Sequence, residues 1–550
     1  MSELHHLTIA QGSALIAQRA LSPAEWARAL LDRIAAHDGN LNAFLHVTSE
    51  RAIAVACDAE REIAAGRWRG PLHGVPFALK DVFDTAGIPT TAQSRIAIDR
   101  VPTADATVTA RLHQAGAVLI GKLAMHEFAH GGPSLDIPWP NARNPWNPLH
   151  FAGSSSSGSA VAVAAGFVPA AMGTDTGGSI RIPAGLCGIA GLKPTYGLVS
   201  RRGVIPCAPS LDHCGPMAWT SEDCALLLQA IASHDAADPA SSPLSVPDYA
   251  AQLNRDLRGL RIGVVRHFWE EDLPASPDAV KATENALDVL RHLGATLDDV
   301  TLRPLQAYSD VRILLQEPEV FAIHHADLAR RADHYGRDFL GRVLFACVLG
   351  SHVYVQANRE RRRMTNQMLS AFDDCDALVT IGPGPAPRFD AEETFGFVFA
   401  LWCKPNVTSP FSVTGFPALN VCTGFSHDGL PLSMQIAARP FFDATVLRIG
   451  DAYEHATSWR TRRPMLVEGV THPAIKLAAE APFAPLDART KTFVERSVEQ
   501  AGLKLDEAQM ELLYRAAPHA LAMAQRLCND LDWAAESAST FRLDIRAFTS

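Results

Sequence analysis

Residues 153–181 read GSSSSGSAVAVAAGFVPAAMGTDTGGSIR, and no other stretch of the chain is as informative. A serine-rich run in isolation is typical of a flexible linker. Here an apolar Ala/Val pattern of helical character follows the serines at once, which places them inside a folded core. A phosphate-binding loop is the next alternative, but the Gly-Lys-Ser/Thr ending of such a loop is absent. The stretch therefore predicts a buried serine cluster beside a glycine-rich turn.

Such a cluster can supply both groups that hydrolysis of an amide bond requires. A serine hydroxyl can act as the nucleophile, and backbone N–H groups that converge at the turn can stabilise the developing oxyanion. Ser179 by itself also fits a helix cap, because Ile180 and Arg181 follow it. We expect Asp175 and Arg181 to have a structural role, pairing with each other or capping the turn.

Short apolar runs surround this stretch on both sides and alternate with helical periods. The runs include 75–79, 117–120, 260–265, 377–380 and 418–421, and the helical patterns include 108–113, 279–293 and 358–372. Buried strands that alternate with helices predict an α/β fold with a mixed, mostly parallel central sheet flanked by helices.

The chain of 550 residues suggests one large domain and a small helical appendage. Ser22-Pro23-Ala24-Glu25 is a helix start, with a serine cap, a proline and a glutamate three residues after the cap. We expect the main domain over 1–467, a linker over 468–490 and a helical tail over 491–550. The tail pattern predicts an apolar stripe that docks on another surface, formed by Leu513, Ala517, Ala520, Ala524, Leu527 and Leu531.

Composition and charge argue against several classes of protein. The net charge of -10 is spread along the chain, and Glu360 interrupts its densest basic stretch, so we expect no direct binding of nucleic acid. The ten cysteines form no CxxC pair, which favours buried thiols in a reducing compartment over disulfides or a zinc site. The longest apolar run, 160–172, is too short to span a bilayer, and the start lacks the pattern of a secretion signal. We expect a cytoplasmic protein without a membrane span.

The segment HEFAH at 126–130 matches the HExxH pattern of zinc proteases. Gly131-Gly132-Pro133 follows immediately, so the long helix that the pattern needs has no room to continue. An extended metalloprotease motif would also need a glycine and a third histidine where Pro133 and Asp136 stand. We therefore expect no metal here and no cofactor in the protein.

Four blocks of the sequence resemble the signature of the amidase signature family. They are GVPFALKD at 74–81, the serine stretches at 153–159 and 173–181, and GLCGIAGLKPT at 185–195. The resemblance covers roughly residues 5–465 and includes the shorter blocks 127–129, 143–145 and 429–431. It implies the amidase signature fold and a Ser–Ser–Lys triad, in which the matching positions are Lys80, Ser155 and Ser179.

The resemblance also implies a role for each member of the triad. Lys80 would be held neutral as the base, Ser155 in an unusual cis peptide would pass on the proton, and Ser179 would attack. A buried lysine can be neutral when its pKa falls from ~10.4 toward ~7–8. The implied oxyanion hole consists of the backbone N–H groups of Thr176, Gly177, Gly178 and Ser179. One departure is Ser154, at a position where the family usually has glycine.

The family implies a small-molecule amide, carbamate or ureide as substrate, hydrolysed through an acyl-enzyme. The alternative is a glutaminase-type amidase subunit of a tRNA-dependent amidotransferase. The C-terminal tail loosely resembles a small helical subunit, that of such amidotransferases or of biuret-pathway enzymes, fused to the chain. The other interpretation is a tail that serves oligomerisation. A homodimer is possible. Five residues are candidates for the substrate pocket: Met125, Phe128, Phe151, Trp402 and Cys403. The sequence does not reveal the acyl group.

Overall fold

The computed structural model describes residues 4–391, 402–479 and 484–527 of the chain. Its centre is a sheet of 11 strands in the order β1-β3-β2-β4-β6-β5-β10-β11-β9-β7-β8. The strands are β1 Phe44–Val47, β2 Pro76–Lys80, β3 Val118–Leu123, β4 Ala170–Asp175, β5 Ala190–Lys193, β6 His213–Ala218, β7 Arg261–Val264, β8 Thr296–Asp299, β9 Ala377–Ile381, β10 Ala418–Phe425 and β11 Pro431–Ala437.

Helices flank this sheet, as the sequence predicts. The α-helices of the described residues are α1 Ile9–Ala17, α2 Pro23–Leu41, α3 Ser49–Ala64, α4 Thr107–Gln114, α5 Ser157–Ala164, α6 Arg181–Cys187, α7 Ser221–Ile231, α8 Pro277–His292, α9 Leu305–Arg331, α10 Arg337–Val343, α11 Ser351–Ala371, α12 Ser409–Thr414, α13 Asp443–Ala456, α14 Ala488–Gln500 and α15 Glu507–Arg526. Ser22 caps α2 and Pro23 is its first residue, so the predicted helix start is confirmed.

The predicted mixed sheet is confirmed, but parallel pairs are not its majority. Among the described strands, four neighbouring pairs are parallel and six are antiparallel. Parallel pairing is confined to β3-β2-β4 at one side and to β9-β7-β8 at the other. Between them, short links such as the one from Phe425 to Pro431 permit only antiparallel neighbours, because a parallel pair needs a long crossover.

The middle of the sheet is buried on both faces. Every residue of β2, β3, β4, β5 and β6 is buried. Side chains of β2 alternate between two apolar clusters, with Phe77 and Leu79 in one and Ala78 in the other. The end of β2 therefore lies deep in the protein, and its last residue is Lys80.

The two C-terminal helices pack on the main body. Helix α15 contacts α9, α10 and the short turn Leu344–Val348. Leu513, Ala517, Ala520 and Leu527 of the predicted stripe are buried, whereas Leu531 lies outside the described residues. Arg526 donates two hydrogen bonds to Asp310 of α9, each 2.7 Å long. The division into a main domain, a linker over 468–490 and a tail stays a prediction.

No single helix of the described residues has the length and hydropathy that crossing a membrane requires. Residues Arg337–Val348 and Ser351–Ala371 meet that criterion only as a pair, bent by 101° at their junction. All nine cysteines within the described ranges are free thiols, and six of them are buried.

Candidate active site

The ends of two parallel strands bring the predicted catalytic residues to one edge of the sheet. Lys80 ends β2, and Thr174 lies next to the end of the adjacent strand β4. Ser155 lies in the loop before α5, and Ser179 lies in the turn between β4 and α6. Carboxyl ends of parallel strands meet at one edge, where ligands commonly bind in α/β sheets. The topology alone thus gathers residues from distant parts of the chain.

Lys80, the base that the resemblance implies, is fully buried. Its Nζ lies 2.7 Å from Ser155 Oγ and 2.7 Å from Thr174 Oγ1, and the residue has no exposed surface. Burial lowers the pKa of Lys80 to about 7, against smaller opposing effects of Cys207, Asp212 and Asp175. Its hydrogen bonds go to hydroxyls rather than to a carboxylate. A substantial fraction of Lys80 is therefore neutral at neutral pH and able to accept a proton.

Ser179 contacts a different serine from the one that the resemblance implies. Its Oγ lies 3.1 Å from Ser154 Oγ, and within the described ranges it has no hydrogen bond to Ser155. Ser154 stands where the family usually has glycine, and so it offers a hydroxyl that glycine lacks. The peptide bond between Ser154 and Ser155 is trans, because Gly384–Pro385 is the only cis bond among the described residues.

A buried ion pair shapes the turn before Ser179. Arg181 Nε lies 3.0 Å from Asp175 Oδ2, and both side chains are fully buried. Asp175 also accepts hydrogen bonds from the backbone N–H groups of Gly178, Ile180 and Arg181. Burial alone would raise the pKa of Asp175, but the Arg181 guanidinium holds it well below its usual range. The predicted pairing and capping role of these two residues is confirmed.

The same turn carries the candidate oxyanion hole. Gly178 donates its N–H to Asp175 Oδ1 at 2.8 Å, so this member of the predicted hole is engaged elsewhere. The N–H groups of Thr176, Gly177 and Ser179 donate no hydrogen bond to any described residue. Gly178 has a φ of +131°, and a Cβ there would lie 2.4 Å from Thr408 Oγ1, so the turn requires glycine at this position. Three of the four predicted donors are thus available to a substrate carbonyl.

Each of the five candidate pocket residues contacts other groups of the protein. Phe128 packs against Tyr335 and Phe339, and Phe151 stacks on His126. The backbone N–H of Met125 donates to Gln93 Oε1, and the carbonyl of Cys403 accepts from Gln306. The ring of Trp402 contacts two guanidinium groups, those of Arg312 and Arg342. Their role in binding substrate stays a prediction.

A cavity of about 220 Å³ lies beside Thr174. Its lining includes Thr174, Cys207, Asp212 and Cys214, and Thr174 is the residue that contacts Lys80. Within the described part of the chain, none of the five candidate pocket residues lines it. Sequence reasoning did not single out Thr174, although it lies inside the stretch that was most informative.

The HEFAH segment is not a helix. It forms a short 3-10 turn, Glu127–Ala129, in which Phe128 and Ala129 have positive φ values of 48° and 58°. His126 Nδ1 lies 2.8 Å from the carbonyl oxygen of Gly131, whereas His130 Nε2 lies 3.0 Å from Glu317 Oε2. The two histidines therefore do not share one helical face, which is the arrangement that the HExxH pattern requires.

The fold and the site together define an amidase-type hydrolase, with paired serines next to a buried lysine. Residues 25–447 match the model of the amidase family, and the chain belongs to this family. The resemblance to the amidase signature family is thus confirmed, and so is the class of enzyme, a hydrolase acting on carbon–nitrogen bonds.

Relatives and solved structures agree with this assignment. The A subunit of glutamyl-tRNA(Gln) amidotransferase from Chloroflexus aurantiacus is 42% identical over 494 residues, which cover 85% of this chain and 100% of the relative. A structure described as a vestigial protein complex that reveals the origins of an s-triazine catabolic enzyme has a TM-score of 0.77 at 33% identity, covering 84% of this chain and 100% of the other. Peptide amidase from Stenotrophomonas maltophilia has a TM-score of 0.73 at 32% identity, covering 83% and 98%.

Proposed function

We propose that this protein hydrolyses a carboxamide bond with Ser179 as nucleophile, Ser155 as proton carrier and Lys80 as base. One observation carries the proposal: the fully buried Lys80 amine, with its pKa lowered to about 7, lies 2.7 Å from Ser155 Oγ. A neutral amine can take a serine proton without a histidine. The position of Ser179 at the glycine turn supports its role as the attacking residue.

The reaction begins when the substrate carbonyl lies against the free N–H groups of the turn. Ser179 Oγ turns from Ser154 toward Ser155 and attacks the carbonyl carbon, and its proton moves through Ser155 to Lys80. The N–H groups stabilise the tetrahedral oxyanion. The proton then returns through Ser155 to the leaving nitrogen, which departs as ammonia or an amine. Water hydrolyses the acyl-enzyme by the same route and restores Ser179.

Sequence relatives favour glutamine as the amide. The relative of 42% identity is the A subunit of an amidotransferase, and the match covers the whole of that relative. In this first candidate function the protein releases ammonia from glutamine for a partner that acts on charged tRNA. The sequence relatives thus support the glutaminase alternative more than a free-standing enzyme.

The C-terminal helices favour a second candidate function. They follow the main body in sequence, and α15 packs on α9 and α10, whereas the match to the amidotransferase relative covers only 85% of this chain. A chain that carries its own helical appendage is suited to act without a separate small subunit. The second candidate is therefore a self-contained hydrolase of a small amide, carbamate or ureide.

Ammonia release by the purified full-length chain tests the reaction and separates the two candidates. The panel contains L-glutamine, aliphatic and aryl amides, a carbamate and biuret, and Ser179→Ala serves as the blank. Glutaminase activity that appears only with amidotransferase partners and tRNA supports the first candidate. Turnover of another amide by the chain alone supports the second. No ammonia from any substrate in either setting contradicts the proposed function.

A further inference from the structure

Arg312 of α9 is a buried cation without an acidic partner among the described residues. It is 1% exposed, and its Nε and Nη1 donate to the neutral side chains of Ser409 and Gln316 at 3.2 and 3.0 Å. Within the described ranges these two are its only hydrogen bonds, and Nη2 donates none. The nearest acidic influence comes from Glu317, whose carboxylate lies 3.0 Å from His130.

Two other buried arginines are compensated by a carboxylate. Arg181 is paired with Asp175, and Arg342 with Asp338, each at 3.0 Å. A buried charge is costly unless an opposite charge or several hydrogen bonds compensate it. Burial lowers the pKa of Arg312 to about 10, so the group stays protonated at neutral pH. The protein thus keeps a positive charge in its interior that its own described side chains do not neutralise.

This charge lies directly beside the candidate oxyanion turn. A Cβ placed on Gly177 would lie 2.9 Å from Arg312 Nη1. Thr408 Oγ1 donates to the carbonyl of Gly177 at 2.7 Å, and the next residue, Ser409, holds Arg312 Nε. The same contacts therefore fix the turn and the guanidinium relative to each other.

Trp402 holds the guanidinium plane in place. The Arg312 Cζ lies 4.5 Å from the ring centroid, and the Cζ of Arg342 lies 4.2 Å from it. Stacking on an aromatic face leaves the edge of a guanidinium free for hydrogen bonds in its plane. A planar carboxylate is the group that such an edge binds best.

We propose that Arg312 binds a carboxylate on the acyl part of the substrate, so that the protein selects amides of acidic molecules. This inference rests on the proposed function and narrows its substrate class. The monoamides of dicarboxylic acids belong to the class, and L-glutamine does too, through its α-carboxylate. Arg312 is here a specificity-determining residue, and the N–H groups of the turn keep the separate task of binding the reacting carbonyl.

Protection of Ser179 from a fluorophosphonate probe tests the inference in the full-length chain. The protecting compounds are malonamate, succinamate and glutaramate, together with 4-methylpentanamide, in which a neutral isopropyl group replaces the carboxylate of succinamate. At least one acidic amide should protect Ser179 at a concentration about 100-fold below that of 4-methylpentanamide, as expected for a charge-assisted bidentate contact. Arg312→Met should abolish this preference, and Arg312→Lys should keep part of it.

Arg201→Met is the matched control. Arg201 lines the cavity that also includes Thr174, and it is already paired with Asp238 at 3.1 Å. This variant should keep the preference for acidic amides. A preference that is lost in Arg201→Met but kept in Arg312→Met would overturn the inference, and so would equal protection by charged and neutral amides.

The outcome for Ser179 itself separates this inference from the proposed function. If the probe leaves Ser179 unmodified in the native chain, the proposed function fails and the inference fails with it. If Ser179 reacts but Arg312→Met shows the native preference, the inference alone is wrong. Thermal unfolding of each variant shows whether a lost preference reflects a lost fold.

Discussion

Acidification below pH 7 should slow the attack of Ser179, because it protonates Lys80. Burial lowers the pKa of Lys80 to about 7, and its hydrogen-bond partners, Ser155 and Thr174, are neutral. With that pKa, about one tenth of the lysine is neutral at pH 6 and about one hundredth at pH 5. The rate of acylation should therefore fall about tenfold for each pH unit below 7 and level off above about pH 8.

The assay is kcat/KM for amide hydrolysis between pH 5 and pH 9, supported by the rate at which a fluorophosphonate modifies Ser179. Both report groups of the free enzyme, because they compare free enzyme with the transition state. Glu127→Gln is a suitable control, since burial raises the pKa of Glu127 to about 7 as well. The Glu127 carboxylate contacts Ser94 and Gly336 rather than the triad. The variant should therefore keep the inflection of the pH–rate profile near pH 7.

Two results would refute this reasoning. One is a flat profile across the whole pH range, which would mean that no base titrates near neutrality. The other is an inflection that disappears in Glu127→Gln and persists in the residual activity of Lys80→Met. That pattern would assign the titration to the glutamate and leave the lysine without a role as base.

The geometry of the site and of the tail leads to three more predictions. Ser155→Ala should lower kcat/KM for ammonia release by about 10³-fold or more, as loss of a triad member does in other enzymes. Ser154→Gly should change kcat/KM less than about tenfold. Equal losses in the two variants would contradict the assigned roles. Arg181→Met should lower the free energy of unfolding by about 3–5 kcal/mol, because it leaves the buried Asp175 carboxylate without its cationic partner. A loss below about 1 kcal/mol in urea unfolding would count against that account. Arg526→Ala removes a partly exposed ion pair between the tail and α9, and it should lower the free energy of unfolding by about 1 kcal/mol or less. A loss of several kcal/mol would contradict this, because it would show that the packing of the tail requires the ion pair.

The sequence predicted the parts of the site that depend on local pattern. The stretch 153–181 indicated a buried serine cluster at a glycine turn, and both features are present. The burial of Lys80 was implied by the family resemblance, and the apolar run 75–79 before it is suited to a buried position. These predictions succeed because burial and turn geometry are encoded in neighbouring residues.

Other features depend on contacts between distant segments, which a local pattern does not encode. Apolar strands look alike whether their neighbours run parallel or antiparallel, and so the share of parallel pairs was overestimated. Arg312 lies on a helix without any motif, and only the packing of Ser409 and Trp402 around it makes it distinctive. The HEFAH segment shows the reverse case, in which a motif is matched by letters while positive φ values prevent the helix.

The contact between Ser154 and Ser179 could not be read from the sequence either. Both serines stand in the informative stretch, and Ser154 departs from the glycine that the family usually has there. Which of two adjacent hydroxyls meets Ser179 depends on the backbone around them and on the side-chain rotamers. Such details differ by a rotation about single bonds, and no residue pattern specifies them.

Mass spectrometry of the fluorophosphonate-treated protein tests the central claim most directly. After digestion, the account predicts one modified peptide carrying the adduct on Ser179, with modification lost in Ser179→Ala and greatly slowed in Lys80→Met. An adduct on another serine, or undiminished modification when residue 80 carries no amine, would contradict it.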